Sequence, residues 1–240
     1  MKHLFLFMVM LVAFAISSTA QNQRMIFKVM DGADLNTVLL DSRFLFDSYK
    51  KSQVFFTDTT TTNALMNYNL LFDEMLFIDP NGDTLILSNI SDVAAIVIDR
   101  RLFKYNSQRF LEVIAFDKET KIELLAKRHI QYDSHTYGPY GMASPTTLSV
   151  SVSERKVAPI GKYDFLGVNK EVRFQRKDVY YLAQGEKNRV ANKKGFLKVF
   201  SKHSNAVKSY IKKEKIKFNK EQDILRLYEY CVNVQAQSKR

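Results

Sequence analysis

Asn67–Leu87 reads NYNLLFDEMLFIDPNGDTLIL. Two apolar segments, Met75–Ile78 and Thr84–Leu87, flank Asp79-Pro80-Asn81-Gly82-Asp83. Proline fixes φ near the value a turn needs, and glycine after asparagine supplies a positive φ without steric cost. Strand-like runs on both sides predict a hairpin, with the first half of the chain built as a sheet around it. The oxygen-bearing groups of Asp79, Asn81 and Asp83 alternate as calcium ligands do, but the spacing is wrong for an EF-hand loop. Pro80 interrupts it and no glutamate closes it, so turn chemistry is the better account.

Working outward, strand candidates recur at short spacing: Met25–Met30, Gln53–Thr57, Ala64–Asn69, Val93–Ile98, Arg101–Tyr105, Phe110–Ala115 and Ile122–Ile130. Ser42–Phe46 reads as an apolar docking segment. No helical periodicity intervenes, which predicts an antiparallel meander. From Tyr132 to Pro159 the texture changes. Gly138-Pro139-Tyr140-Gly141 and Ala143-Ser144-Pro145 are breakers, and Ser149, Ser151 and Ser153 alternate with Leu148, Val150 and Val152. Residues 132–160 therefore read as a flexible Gly/Ser/Tyr segment, linker or flap. Beyond it, Glu171–Gln175 and Val179–Ala183 fit two further strands, with Gln184-Gly185-Glu186 as a turn. After Asn192 the period becomes helical. Phe196, Leu197 and Phe200 share a face, as do Val207, Tyr210 and Ile211. Asn219 is placed to cap a third helix, with Gln222 at the capping-box position; its apolar stripe is Ile224, Leu225, Tyr228, Cys231 and Val232. The expected fold class is α+β: an antiparallel β-rich N-terminal part over 21–131, then, over 161–240, a C-terminal β-hairpin plus about three short helices.

The N-terminus reads as a secretory signal peptide over 1–20. Lys2 and His3 form a basic region, Leu4–Ile16 is an uninterrupted apolar run, and Ser18-Thr19-Ala20 supplies small residues before a cut at Gln21. The run falls short of the ~20 residues a spanning helix needs. The expectation is export, to the periplasm or beyond, with no transmembrane segment after cleavage. Cys231 is the single cysteine, so no internal disulfide can form. A buried small hydrophobe is the favoured reading of it and a dimer-linking thiol the other.

Charge is unevenly placed. The chain carries a net +11. Between Lys187 and Lys220 there are twelve Lys or Arg and one acid, Glu214, so that segment alone accounts for +11. Lys198, Lys202, Lys208, Lys212 and Lys213 fall on the outward side of helices that bury Phe200, Tyr210 and Ile211. A cluster of that size attracts polyanions; anionic lipid and acidic glycan suit an exported protein better than nucleic acid, for which no recognition motif is present. The plainer alternative is a solvated face.

Catalytic signals are sparse. There is no Gly-x-Ser-x-Gly, no HExxH, no Cys–His pair and no glycine-rich phosphate loop among only eight glycines. Asp73 and Glu74 are adjacent and on a strand would face opposite ways. His129, Asp133 and His135 are the one set from which a hydrolase or metal-dependent enzyme could be built, although zinc would need a further ligand. No cofactor is implied. The leading expectation is a non-enzymatic exported envelope protein; docking of a partner protein by a sheet edge or apolar patch is a further one.

The runs NYNLLFDEMLFIDPNGDTL, SRFLF, YGPYG and FLKVFSKH…VKSYIKKEKIKFNKEQDILRLYEYC together resemble an uncharacterised family of secreted or periplasmic proteins of the Bacteroidota. The resemblance covers most of the chain after the signal and implies an envelope location. It brings no activity. It would also make Asp58-Thr59-Thr60 and Asp83-Thr84-Leu85 candidate O-glycosylation tripeptides.

Overall fold

The computed structural model describes residues 24–29, 39–136, 170–185 and 187–238; side chains are not described at 24–29, 40, 132–136 and 170–173. The signal-peptide reading and the 137–160 part of the expected flexible segment lie outside the described residues.

Among the described residues, eleven strands and three α-helices follow in chain order: β1 Arg24–Val29, β2 Lys50–Phe56, β3 Thr61–Asn69, β4 Glu74–Ile78, β5 Thr84–Ile86, β6 Val93–Ile98, β7 Arg101–Tyr105, β8 Phe110–Phe116, β9 Ile122–Thr136, β10 Lys170–Gln184, β11 Lys187–Val190, α1 Lys193–Val199, α2 Ser204–Lys213 and α3 Glu221–Gln237. Every pairing is antiparallel, and the strand order is β1-β10-β9-β8-β7-β6-β2-β3-β4-β5. β11 pairs with β10 along Tyr181–Gln184, on the edge where β1 takes Lys170–Gln175. The fold is α+β.

The hairpin of the Asn67–Leu87 stretch forms where expected. The Asp79 carboxylate accepts from the N–H groups of Asn81 (2.9 Å) and Asp83 (2.8 Å), and Gly82 takes φ 90°. Its place in the sheet corrects the expectation. β4 and β5 end the strand order, so this hairpin hangs on the edge rather than organising the sheet. The centre is the long pair β9 and β10, in continuous register over fifteen residues of each. Two predicted strands at Glu171–Gln175 and Val179–Ala183 are one strand, β10. The charged run Arg176–Asp178 between them reads as a break in sequence because its charges have no local partner. In the fold, Arg176 donates to the Phe44 carbonyl and Asp178 pairs with Arg128.

The sheet coils until it meets itself. The Ile130 N–H of β9 donates to the Leu70 carbonyl at the end of β3 (3.0 Å), although four strands separate β9 from β3 in the strand order. Bulges between Phe55 and Phe56, and between Val113 and Ala115, sharpen the bend. The Ser42–Phe46 segment seals the coil. Leu45 and Leu70 N–H groups donate to Tyr68 and Arg43 carbonyls, and the buried Asn67 side chain bonds both the N–H and the carbonyl of Phe46. Inside lie Met66, Tyr68, Met75, Ile96, Ile98, Phe103, Phe110, Ile130 and Phe174, all buried.

A second core lies under the helices. Ile122, Leu124 and Ala126 of β9, with Tyr180 and Leu182 of β10, meet Phe196, Phe200, Val207, Ile224, Leu227, Tyr228 and Cys231. The Tyr228 hydroxyl donates to the Ile122 carbonyl at 2.7 Å, pinning α3 to the sheet. Asn192 caps α1 by accepting from the Gly195 N–H (2.8 Å), and a Cβ on Gly195 would collide with the Val190 carbonyl. Asn219 is not the cap of α3. The helix starts after Lys220 without a side-chain cap, and Asp223 instead accepts from the Lys217 N–H (2.9 Å). Cys231 is fully buried, and burial pushes its thiol up to about 12. An inert hydrophobe is what that burial makes of it.

Candidate functional site

The even-numbered residues of β9 and β10 share one face, and that face runs through both cores. Along β9 it goes from Ile122, Leu124 and Ala126 under the helices, through Arg128, to Ile130 inside the coil. Along β10 it goes from Leu182 and Tyr180, through Asp178 and Arg176, to Phe174. β8 repeats the order with Ile114, Glu112 and Phe110. A layer of charge, buried at Arg128 and Glu112 and half-buried at Arg101, Asp178 and Glu221, therefore separates two apolar layers. Arg128 Nε meets Glu112 at 2.7 Å, Nη1 meets Asp178 at 2.6 Å and Nη2 meets Glu221 at 2.5 Å. Arg101 holds Glu112 through both Nε and Nη2 at 2.6 Å. The Tyr180 hydroxyl donates to Glu221 at 3.1 Å. Burial works against the charged guanidinium of Arg128, but Glu112, then Asp178 and Glu221, outweigh it and hold its pKa above the ordinary value. Burial likewise opposes the Glu112 carboxylate, and the Arg101 and Arg128 contacts overcome it, holding Glu112 below the usual range. With every charge answered, this layer is structural: it joins α3 to the sheet.

The five lysines singled out from the sequence occupy the outside of the helical layer. Lys198, Lys202, Lys208, Lys212 and Lys213 are all exposed. The apolar sides of the same helices, at Phe200, Val207, Tyr210 and Ile211, pack on the second core. The Tyr210 and Tyr230 rings stack at 3.9 Å and tie α2 to α3. None of the basic residues from Lys187 to Lys220 forms an ion pair among the described residues. Glu214, the one acid inside that stretch, is half-buried at the C-terminal end of α2, and Asp223 beyond it is occupied by Arg226 at 2.7 Å. Lys208 and Lys212 stand four residues apart on α2, where like charges on a helix cost a few tenths of a kcal/mol per pair, while Lys202 lies in the 3-10 turn between α1 and α2.

His129, Asp133 and His135 share parity on β9, so the backbone places them along the face opposite Arg128. The side chains of Asp133 and His135 lie outside the described residues. His129 is half-buried and pairs in register with Lys177. Burial, then the charges of Lys127 and Lys177, pull its pKa down to about 4; the Lys127 carbonyl favours the proton too weakly to offset them. Cationic neighbours of that kind repel a metal ion. No group of three or more His, Cys, Asp or Glu among the described residues could hold one. Asp73 and Glu74 share no hydrogen bond, although after burial the Asp73 charge helps to raise the Glu74 carboxyl. Asp73 sits at φ 60° in the turn before β4 and accepts a hydrogen bond from the Tyr68 hydroxyl, while burial raises its pKa.

Sequence reasoning missed Lys127. It is only 6% exposed, yet no hydrogen bond or ion pair engages its ammonium among the described residues. Strand alternation could have put Lys127 and His129 on one face, but nothing local signals that the face is covered. Along the outer side of β2, β3 and β6, a shallow groove lined by Gln53, Asn63, Leu65 and Val97 carries no charged constellation beyond Lys51, Asp99 and Arg100. Among the described residues no helix is long and apolar enough to cross a membrane. The chain matches no family model, no curated protein and no solved structure.

Proposed function

We propose that this is an exported, non-enzymatic protein of the cell envelope that binds polyanions through the lysine face of α1 and α2. The observation that carries the reading is the absence, among the described residues, of any ion pair to the basic residues of 187–220, on helices whose other side is locked into the core. A face needed only for solubility gains from mixed charge; one sign left unanswered over three turns costs stability and creates a field that concentrates phosphate- or carboxylate-rich surfaces. Anionic lipid head groups and acidic glycan chains share that chemistry and suit the envelope location inferred from the N-terminal apolar run.

The test is co-sedimentation with vesicles of mixed neutral and anionic phospholipid, run beside retention on an immobilised acidic polysaccharide. Binding to one or both is expected, weakening steeply between about 50 and 200 mM salt as screening shortens the reach of the charges. The triple charge reversal Lys208→Glu, Lys212→Glu and Lys213→Glu should abolish it. Association that survives that reversal unchanged would sink the reading. The vesicle and polysaccharide arms separate lipid from glycan.

A further inference from the structure

The sheet leaves two short strands at its edges, and their surroundings carry opposite charge. β5 ends the strand order beyond β4, and β11 has β10 as its partner. Antiparallel pairing turns alternate backbone groups away from the neighbouring strand. On β5, the Asp79 N–H donates to the Asp83 carbonyl and the Leu87 N–H to the Met75 carbonyl. Asp83, Leu85 and Leu87 therefore face β4, and the N–H and C=O groups of Thr84 and Ile86 face outward. On β11, the Ala191 N–H donates to the Tyr180 carbonyl, so Arg189 faces β10 while Asn188 and Val190 face outward. Among the described residues, the one outward group with a partner is the Val190 carbonyl, which accepts from the Asn192 N–H at 2.8 Å. Each strand also exposes a large apolar side chain: Leu85 is 43% exposed and Val190 47%. Edges of this kind are templates for another strand.

Charge selects the strand. Residues 52–99, which contain β5, hold seven Asp or Glu and no Lys or Arg. None of those acids forms an ion pair among the described residues. β11 opens the 187–220 segment, whose net charge is +11. Two β5 edges would set acid against acid, and two β11 edges base against base. A β5 edge beside the β11 edge of a second copy sets acid against base. The faces agree as well. Leu65, Ile78 and Thr84 form a row across β3, β4 and β5 on the outer face of the sheet. Leu125, Tyr181 and Val190 form another across β9, β10 and β11.

We propose that copies of this chain associate head to tail, β5 of one adding as an antiparallel strand to β11 of the next. Val190 stands opposite Thr84 and Asn188 opposite Ile86, which brings the outward N–H and C=O groups together and joins the two outer rows into one. The same register sets the Asp79–Asp83 turn toward the basic start of α1, Lys193 and Lys194. Every copy presents both edges, so the contact is heterologous and stays open to further copies. Neither strand contains any lysine of the α1–α2 face, and the association stands or falls apart from polyanion binding.

The experiment is sedimentation velocity of the protein from ~5 to ~200 μM at ~50 mM salt. Species larger than a dimer are expected at the upper end, with a Kd near ~100 μM that rises several-fold at ~500 mM salt. Thr84→Pro and Asn188→Pro each remove an outward N–H and leave the ladder to β4 or β10 intact, so each variant alone should be monomeric. Mixed in equal amounts, they should form a one-to-one complex and nothing larger, since one keeps an intact β11 edge and the other an intact β5 edge. Leu85→Lys, which sets a cation against the basic strand, should also be monomeric and serves if Thr84→Pro does not fold. A wild type that is monomeric at ~200 μM, association that survives in these edge variants, or a proline mixture that stays monomeric would overturn the proposal.

Discussion

Lys127 and Arg128 are consecutive residues of β9, both nearly buried, and they live in opposite electrostatic worlds. Strand alternation turns Arg128 toward the face that holds the two cores, where three carboxylates reach it at 2.5–2.7 Å. The same alternation turns Lys127 to the other face, where Arg109 and His129 are its neighbours and Asp73 stays out of bonding range. Charge that is fully paired holds elements together; charge drawn toward the interior without a bonded partner costs stability. The two residues differ in what the fold brings to them, not in their own chemistry.

That contrast can be broken in three ways, beginning with the largest effect. Arg128→Met leaves Glu112, Asp178 and Glu221 facing one another across a buried layer. Unfolding in urea should show a loss of about 3–5 kcal/mol, with α3 the first element to gain hydrogen exchange. A loss under about 1 kcal/mol would mean that the layer is not what joins the helices to the sheet.

His129 supplies the second. Its folded pKa of about 4 lies below the ordinary value near 6.5, so the unfolded chain takes up the proton first as pH falls. The stability this group contributes is complete above pH ~6.5 and is lost between there and pH ~4, on the order of 2 kcal/mol after allowing for partial exposure. His129→Gln should flatten that part of the stability–pH curve. Glu112, whose pKa is depressed, adds a separate loss only at lower pH, as acid titrates it out of its ion pairs. An unchanged slope between pH 6.5 and 4 in His129→Gln would show that His129 is as well solvated as in the unfolded chain.

The smallest effect has the opposite sign. Lys127→Met removes an ammonium whose desolvation outweighs the pull of the Asp73 carboxylate, so the variant should be more stable than the wild type by about 1 kcal/mol, read as a rise in the urea midpoint. A loss as large as that of Arg128→Met would erase the distinction between the two faces.

Much of the strand series was legible because β-rich runs and turn residues are local signals. Val93–Ile98 and Arg101–Tyr105 form as read. Phe196, Phe200, Val207 and Tyr228 bury as their helical spacing requires. The failures are informative for the same reason. Arg176–Asp178 reads as a break, since three charged residues interrupt the pattern, and only pairing with distant groups makes them strand. Asn219 reads as a cap by composition, yet the helix starts after Lys220, and the Lys217 N–H is bonded by Asp223. The lysine face could be located because helical period separates polar from apolar sides within a few turns. The surroundings of Lys127 and His129 could not, because they share one strand while Arg109 comes from the β7–β8 hairpin and Asp73 from the turn before β4, and no charge run marks them.

The sequence by itself determined the α+β class, most strands, the three C-terminal helices and the basic end, all of which follow from periodicity and composition over short spans. Only the tertiary structure decided that the Asn67–Leu87 hairpin is an edge and β9–β10 the centre. It alone set the coil that brings Leu70 to Ile130, and the opposite fates of Lys127 and Arg128. Those outcomes depend on which strands become neighbours, and strand neighbours are chosen by contacts between residues far apart in the chain, which no local pattern encodes.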